Sequence, residues 1–202
     1  MNKLEKIIIF VTGGPGTGKS YASDFLIKHL NPVDLVSYDQ IKEKEWDRFG
    51  FDNAKQKDRL NWFSLEEFYL TLQKKMWEEK NILTEYPFYQ RHREKLAKLV
   101  DEYQYRAITV LLYGNWKSIY ERGRERDHGA DRHPGHLTET YHIETFREED
   151  REDSHILSYE EFMNSIKGKN YDIQIGTTIR IDVSDISKVS YEPILDFIKS
   201  QK

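Results

Sequence analysis

The eight residues from Gly13 to Ser20 read GGPGTGKS, and their types and spacing could bind phosphate. They match the pattern G-x-x-x-x-G-K-[ST], in which the backbone N–H groups of a glycine-rich loop surround an anion. Glycine allows the positive φ angles and the close approach that such a loop requires, and we expect both at the four glycines of the motif. The predicted nucleotide contacts are Gly13, Gly14, Pro15, Gly16, Thr17, Gly18, Lys19, Ser20 and Tyr21.

The flanking segments favour a phosphate-binding loop over a chance glycine-rich turn. Lys6–Thr12 is an apolar run typical of a buried strand, and Ser20–Leu30 is predicted to be a helix. Strand, loop and helix in this order are the context in which the motif binds a nucleotide, with the phosphate at the positive end of the helix. Lys19 would then reach the β- and γ-phosphates of ATP, and the Ser20 hydroxyl would be a ligand of Mg²⁺.

Strand-like and helical segments alternate along the chain. This alternation predicts an α/β protein, a three-layer sandwich in which helices cover both faces of a parallel sheet. We expect a single domain over residues 1–202, with five strands in the order 2-3-1-4-5. The predicted strands are Lys6–Thr12, Val33–Ser37, Ile82–Glu85, Ala107–Tyr113 and Thr177–Val183. The predicted helices are Ser20–Leu30, Leu60–Lys80, Gln90–Tyr103, Trp116–Asp127, Tyr159–Lys167 and Tyr191–Lys199.

Asp39 follows the second predicted strand. Ligands of an open parallel sheet bind beyond the carboxyl ends of its strands, so a carboxylate at this position is a candidate for chemistry. It could accept the proton of a hydroxyl that attacks a phosphoryl group. It could equally be the N-cap of a helix that begins at Gln40. The spacing alone does not decide between the two roles.

Glu85 ends the third predicted strand, within NILTEYPF. P-loop proteins usually place here an acid that holds Mg²⁺. The pattern is unusual because the acid is glutamate and is followed directly by Tyr86 and Pro87. Glu85 is therefore a candidate for holding Mg²⁺, for binding an acceptor substrate, or for a structural role.

An arginine-rich segment, ERGRERDHGADRHPGH, follows the fourth predicted strand. Arg122 and Arg126 are four residues apart and share one helical face, and Arg132 follows beyond a glycine-containing turn. Guanidinium groups are planar, permanently charged and suited to phosphoryl oxygens. We predict that residues 122–136 form a lid that closes over the nucleotide. The alternative is an exposed helix in which arginines pair with the interleaved acids.

His133 and His136 lie in the same segment. They lack a cysteine or a close acidic partner that would complete a metal site. We interpret them as part of the turn and lid structure.

Taken together, these segments resemble the small P-loop kinases related to zeta toxins, chloramphenicol phosphotransferase and the kinase domain of polynucleotide kinase. The resemblance is carried by GGPGTGKS, SYDQIKE with GFDN, ILTEYPF and RHPGH, and it covers about residues 6–136. It implies an arginine-rich lid, ATP and Mg²⁺ as cofactors, and a hydroxyl-bearing acceptor. Asp39 is implied to act as the base. The other implied phosphate-binding residues are Lys19, Arg122, Arg126 and Arg132.

Two other functions are alternatives to a kinase with a hydroxyl acceptor. A nucleoside monophosphate kinase is the nearest, because TEYPFYQR loosely resembles the Asp-Gly-Phe-Pro-Arg stretch of adenylate kinases. A base at Asp39 favours a hydroxyl acceptor instead, because an acceptor phosphate is already ionised. A nucleotide-hydrolysing ATPase or switch protein is a different class, but the sequence has neither the N-K-x-D motif of GTPases nor an Asp-Glu pair on a hydrophobic strand.

The amino-acid composition limits the classes of partner and of site that the protein can have. The chain has 202 residues, 38% of them hydrophobic and 33% charged, and a formal net charge of -4. This charge does not favour dedicated nucleic-acid binding, although a polynucleotide end stays open as an acceptor, beside small molecules and nucleotide-like compounds. The lack of cysteine excludes disulfides and thiolate zinc sites, and the apolar runs are too short for a membrane span. We expect a cytoplasmic protein with no membrane partner.

Overall fold

The computed structural model describes residues 6–129, 131–147, 149–150 and 156–200. Within these ranges the strands are β1 (Ile7–Gly13), β2 (Asp34–Ser37), β3 (Ile82–Glu85), β4 (Arg106–Tyr113) and β5 (Thr177–Asp182). The helices are α1 (Lys19–His29), α2 (Tyr38–Phe49), α3 (Ala54–Trp77), α4 (Gln90–Glu102), α5 (Trp116–Asp127), α6 (Tyr159–Ile166) and α7 (Glu192–Ser200). Short 3-10 turns lie at Pro134–His136 and Ile186–Lys188.

The strands form one parallel sheet in the order β2-β3-β1-β4-β5, which confirms the predicted α/β fold and strand order. Alternate residues of β1 supply two separate hydrophobic cores. Ile8 and Phe10 pack on the face covered by α3 and α4, whereas Ile9 and Val11 pack on the face covered by α1 and α7. Both faces of β1 are therefore buried, which explains why its sequence is continuously apolar.

Helix α3 begins earlier than the apolar periodicity predicted. The helix starts at Ala54 because the Asn53 side chain accepts a hydrogen bond from the backbone N–H of Gln56, at 3.0 Å. This N-cap extends the helix toward α2 by six residues beyond the predicted start at Leu60. Its buried residues include Phe68, Tyr69, Leu72 and Met76.

The register of the sheet brings the carboxyl ends of β1, β2 and β3 together. Glu85 at the end of β3 is opposite Val11 of β1 on one side and Ser37 of β2 on the other. Because α1 and α2 both begin just past these strand ends, their first turns lie along the same edge of the sheet.

Candidate functional site

The loop between β1 and α1 has the conformation that the motif predicted. Strand β1 ends at Gly13, and α1 begins at Lys19 after an N-cap, Gly18, in the left-handed region at φ 83°. Positive φ angles occur at Gly13, Gly16 and Gly18. The strand–loop–helix prediction is confirmed.

Gly14 lacks the positive φ angle that was expected at every glycine of the motif. A Cβ atom at Gly14 would lie 2.6 Å from Cζ3 of Trp116, at the start of α5. Glycine is required here by the close approach of an aromatic ring. The prediction of positive φ at all four glycines of the motif was wrong at this one.

A cleft of about 410 Å³ opens beside this loop, and we call it the P-loop cleft. It is lined by Gly16, Gly18, Lys19, Ser20, Tyr21, Asp39, Arg122, Gly123, Arg126, Arg132 and Ile186. The other predicted nucleotide contacts lie beside it. Buried Thr17 donates a hydrogen bond to the Gly14 carbonyl at 2.8 Å, and Pro15 lines a smaller neighbouring hollow. Tyr21 is 70% exposed and its ring centroid is 5.8 Å from that of Tyr191.

The Lys19 ammonium lies across the loop. It donates hydrogen bonds to the carbonyl oxygens of Gly14 and Gly13, at 2.9 and 3.3 Å. Burial lowers the pKa of Lys19 to about 8, although Asp39 and Glu85 act in the opposite direction. A lysine held among carbonyls and acids in a buried position gains from an added anion, because an anion restores the preference for its charged form.

Glu85 accepts hydrogen bonds from two hydroxyls of α1. Ser20 Oγ donates to Oε1 and Ser23 Oγ donates to Oε2, both at 3.1 Å. Burial raises the pKa of Glu85, and the two hydroxyls and Lys19 act against that rise. This group of oxygen atoms suits Mg²⁺, which prefers carboxylate, hydroxyl and water oxygens.

Asp39 is not the cap of α2. That helix begins at Tyr38, one residue before Asp39, and its N-cap is Ser37, whose hydroxyl accepts a hydrogen bond from the Gln40 N–H at 3.4 Å. The predicted alternative, an N-cap before a helix starting at Gln40, was wrong. Asp39 lies instead in the first turn of α2, with its side chain lining the P-loop cleft.

Lys42 is the partner of Asp39, and sequence reasoning missed it. Lys42 Nζ lies 2.6 Å from Oδ1 of Asp39, one helical turn further along α2. Burial raises the pKa of Asp39, but the positive charge of Lys42, with His136 and Arg132, outweighs that effect and lowers it to about 2. The i, i+3 spacing was a signal that could have identified this pair.

The three predicted arginines have different surroundings. Arg122 donates hydrogen bonds to the carbonyl oxygens of Val183 and Ser184, at 2.6 and 3.3 Å. Arg126 and Arg132 both contact one carboxylate oxygen of Asp127, at 2.6 and 3.5 Å. The three arginines line the same P-loop cleft, but Arg122 is hydrogen-bonded to the backbone just past the end of β5.

The end of the arginine-rich segment packs against α2. His136 lies 2.7 Å from Glu43, and His133 lies 3.0 Å from Asp47. Gly135 is buried, and a Cβ atom there would lie 2.5 Å from the Trp46 ring. The interpretation of these histidines as lacking an acidic partner was wrong, because the acids come from a helix about ninety residues earlier in the chain. Ala130, inside the predicted lid, lies outside the described residues.

Comparison with known proteins gives similarity at the level of structure. A scan against models of protein families finds no match, and a search of curated proteins finds none either. A provisionally assigned kinase from Chloroflexus aurantiacus has a TM-score of 0.71 and 18% identity, over 98% of this chain and 97% of its own. The chain has the fold of the small P-loop kinases.

Two further solved structures of this fold resemble the chain. A gluconokinase from Sinorhizobium meliloti has a TM-score of 0.54 and 12% identity, over 96% of this chain and 90% of its own. A shikimate kinase from Bacteroides thetaiotaomicron has a TM-score of 0.52 and 14% identity, over 96% of this chain and 98% of its own. At identities this low, the similarity shows the fold and does not identify the substrate. Separately, no helix in the described part of the chain combines the length and apolarity needed to span a membrane.

Proposed function

We propose that this chain is a phosphotransferase that moves the γ-phosphoryl group of ATP to a hydroxyl of an acceptor. The observation that carries the proposal is the composition of the P-loop cleft. Lys19 of the loop, Asp39 of α2 and the arginines 126 and 132 line one space of about 410 Å³. A space with cations for phosphate on several sides and one ionised carboxylate is what phosphoryl transfer to a hydroxyl needs.

In the proposed step the acceptor oxygen forms a bond to the γ-phosphorus while the bond from that phosphorus to the β,γ-bridging oxygen breaks. ADP is the leaving group, and the hydroxyl proton passes to the Asp39 carboxylate and then to water. A carboxylate with a pKa of about 2 is a weak base. Because phosphoryl transfer has a loose transition state, the proton need leave only late, and Asp39 would first orient the hydroxyl.

The cations of the cleft would exchange their present partners for phosphate oxygens. Lys19 would leave the carbonyls of Gly13 and Gly14, which are neutral acceptors, for the charged β- and γ-phosphates. Arg126 and Arg132 would exchange the Asp127 oxygen that they share for phosphate oxygens, which are suited to bidentate contact with a guanidinium group. Arg122 would act nearer the α-phosphate or the adenine, held in place by the end of β5.

Ser20 and Glu85 would hold Mg²⁺. When bound, this ion neutralises phosphate charge. The two hydroxyls that Glu85 accepts from belong to α1, on the nucleotide side of the cleft, which supports the metal role over contact with the acceptor. We further propose that residues 1–202 act as a single kinase domain in which residues 122–136 are the lid.

The proposal is tested by pairing calorimetry of ATP binding with the kinetics of ADP release over a library of hydroxyl compounds. Lys19→Ala should weaken ATP binding and nearly abolish turnover, because it removes the charge that bridges the β- and γ-phosphates. Asp39→Asn should bind ATP nearly as wild type and lower transfer by roughly 10²–10⁴, the usual range for a general base.

Two results would contradict it. An Asp39→Asn variant that binds ATP poorly yet turns over normally at saturation would remove the base from the mechanism. Formation of a nucleoside diphosphate from a nucleoside monophosphate would indicate the alternative kinase class. Release of inorganic phosphate without any phosphorylated acceptor would indicate an ATPase or switch protein.

A further inference from the structure

A second cavity, of about 420 Å³, lies beside the N-terminal part of α2. We call it the aromatic cavity. Its walls come from α2, from the first turns of α3, from the segment between β3 and α4, and from the first turn of α4. Six of its lining residues matter to the argument: Tyr38, Lys42, Asp58, Trp62, Tyr86 and Arg91. Its volume is in the range of pockets that hold small molecules.

The aromatic cavity and the P-loop cleft are joined by one ion pair. Asp39 lines the cleft, Lys42 lines the cavity, and their charged atoms are 2.6 Å apart. A molecule that fills the cavity is therefore next to the carboxylate that faces the phosphate side. The cavity is therefore positioned to bind the acceptor of the phosphoryl group. This inference rests on the function proposed above.

The inner wall of the cavity is aromatic and fixed in place. Tyr38 and Tyr86 pack with ring centroids 4.6 Å apart, and Lys42 lies over both rings. Tyr38 donates a hydrogen bond to the Asn61 carbonyl at 2.7 Å, which ties α2 to α3. Trp62 adds an indole that is 59% exposed. Aromatic walls of this kind favour a flat, unsaturated ring, which can stack or meet them edge to face.

Arg91 and Lys42 are the two cations that line the cavity. The Nε atom of Arg91 lies 3.3 Å from Nε2 of His92, and its guanidinium carbon lies 5.0 Å from the centre of the Tyr89 ring. The terminal amino groups of Arg91 have no hydrogen bond to any other residue in the described part of the chain. The other cation, Lys42, is already paired with Asp39. An exposed planar fork with unused donors is suited to a carboxylate or a phosphate. Asp58 is the opposing charge at this cavity and must be tested beside Arg91.

We infer that the aromatic cavity is the acceptor site and that it takes a small compound combining an unsaturated ring, a hydroxyl and one anionic group, carboxylate or phosphate, that pairs with Arg91. The anionic group lies at the mouth, the ring lies against Trp62 and Tyr86, and the hydroxyl points toward Asp39.

The test measures binding by ligand-observed NMR, with a saturating non-hydrolysable ATP analogue and Mg²⁺ present so that anions cannot occupy the P-loop cleft. Two matched probe pairs separate the sources of the charge: para-hydroxybenzoate against its neutral amide, and uridine monophosphate against uridine. Each is measured with wild type, Arg91→Gln, Arg91→Lys, Trp62→Ala and the control Asp58→Asn. Since Arg91 and Trp62 are exposed, these changes should not unfold the chain.

We expect at least one anionic probe to bind about tenfold more tightly than its neutral partner. Arg91→Gln should remove that preference, Arg91→Lys should restore part of it, and Trp62→Ala should weaken both members of the pair. Asp58→Asn should leave binding of the anion unchanged or strengthen it. The inference is overturned if neutral probes bind equally well, if no anionic probe binds while the P-loop cleft is saturated with nucleotide, or if Asp58→Asn rather than Arg91→Gln abolishes binding. None of these results bears on whether ATP binds at Lys19, so the calorimetry above decides the proposed function separately.

Discussion

Replacing Lys42 by methionine isolates the electrostatic part of the site. Lys42 is buried and pairs with Asp39 at 2.6 Å, and its Nζ atom lies 5.0–5.4 Å from the ring centroids of Tyr38, Tyr86 and Trp46. Methionine keeps most of the side-chain packing and removes the charge. The change should therefore act on the pKa of Asp39 more than on the fold.

The magnitude follows from the surroundings of Asp39. Burial raises its pKa, and Lys42 makes the largest contribution to the opposing effect that lowers it from 3.8 to about 2. A shift of that size corresponds to about 2.5 kcal/mol, and the 36% exposure of the Asp39 side chain reduces this through screening by water to about 1 kcal/mol. Since one pKa unit corresponds to about 1.4 kcal/mol, Lys42→Met should raise the pKa of Asp39 by somewhat less than one unit.

An NMR titration of the carboxyl carbons measures this pKa without knowledge of the acceptor, and Asp39→Asn assigns the resonance. Since Asp39 works as a carboxylate, the wild-type transfer rate should not fall on account of Asp39 until the pH approaches 2. The Lys42→Met rate should decline earlier as the pH falls. An Asp39 pKa that stays near 2 in Lys42→Met would refute the assignment of Lys42 as the group that holds this carboxylate ionised.

Two other predictions address the lid and the core. Arg132→Ala should lower transfer by about 10²–10³ while changing ATP affinity little, because the contact of Arg132 with the phosphoryl group strengthens in the transition state. The control Arg124→Ala, on the exposed surface of α5, should be near wild type in steady-state kinetics. Equal activity of both variants would show that residues 122–136 are a surface turn and not a lid. Burial, with the nearby Arg91, lowers the pKa of His92 to about 4, so the folded state resists protonation that the unfolded state accepts near 6.5. The contribution of neutral His92 to the free energy of unfolding should be fully present above pH 6.5 and should fall by roughly 3 kcal/mol as the pH drops to 4. In denaturant titrations of His92→Gln, the free energy of unfolding should not show this decrease. A pH dependence identical in wild type and His92→Gln would contradict this.

The sequence was sufficient for the parts of the fold that depend on local pattern. Ile82–Glu85 and Trp116–Asp127 have the bounds that were predicted, because apolar runs and helical spacing mark them directly. The strand order was also predictable, since it follows from the P-loop motif and the alternation of strands with helices.

Contacts between distant segments were not predictable in the same way. The carbonyl partners of Arg122 are about sixty residues later in the chain, and the acids that face His133 and His136 are on α2. Nothing in the local pattern of the arginine-rich segment distinguishes an arginine directed to a carbonyl from one directed to Asp127. The signal for Asn53 as the cap of α3 was present in the sequence, and the apolar periodicity that begins later concealed it.

The central claim is that the γ-phosphoryl group passes to a hydroxyl beside Asp39. Phosphorus NMR of a reaction containing ATP, Mg²⁺ and a pool of ring-bearing hydroxy acids follows this transfer directly, with Asp39→Asn as the matched control. We expect a new phosphomonoester signal that grows in step with ADP and is lowered by roughly 10²–10⁴ in Asp39→Asn. Equal phosphomonoester formation by wild type and Asp39→Asn, or ADP accompanied only by inorganic phosphate, would contradict it.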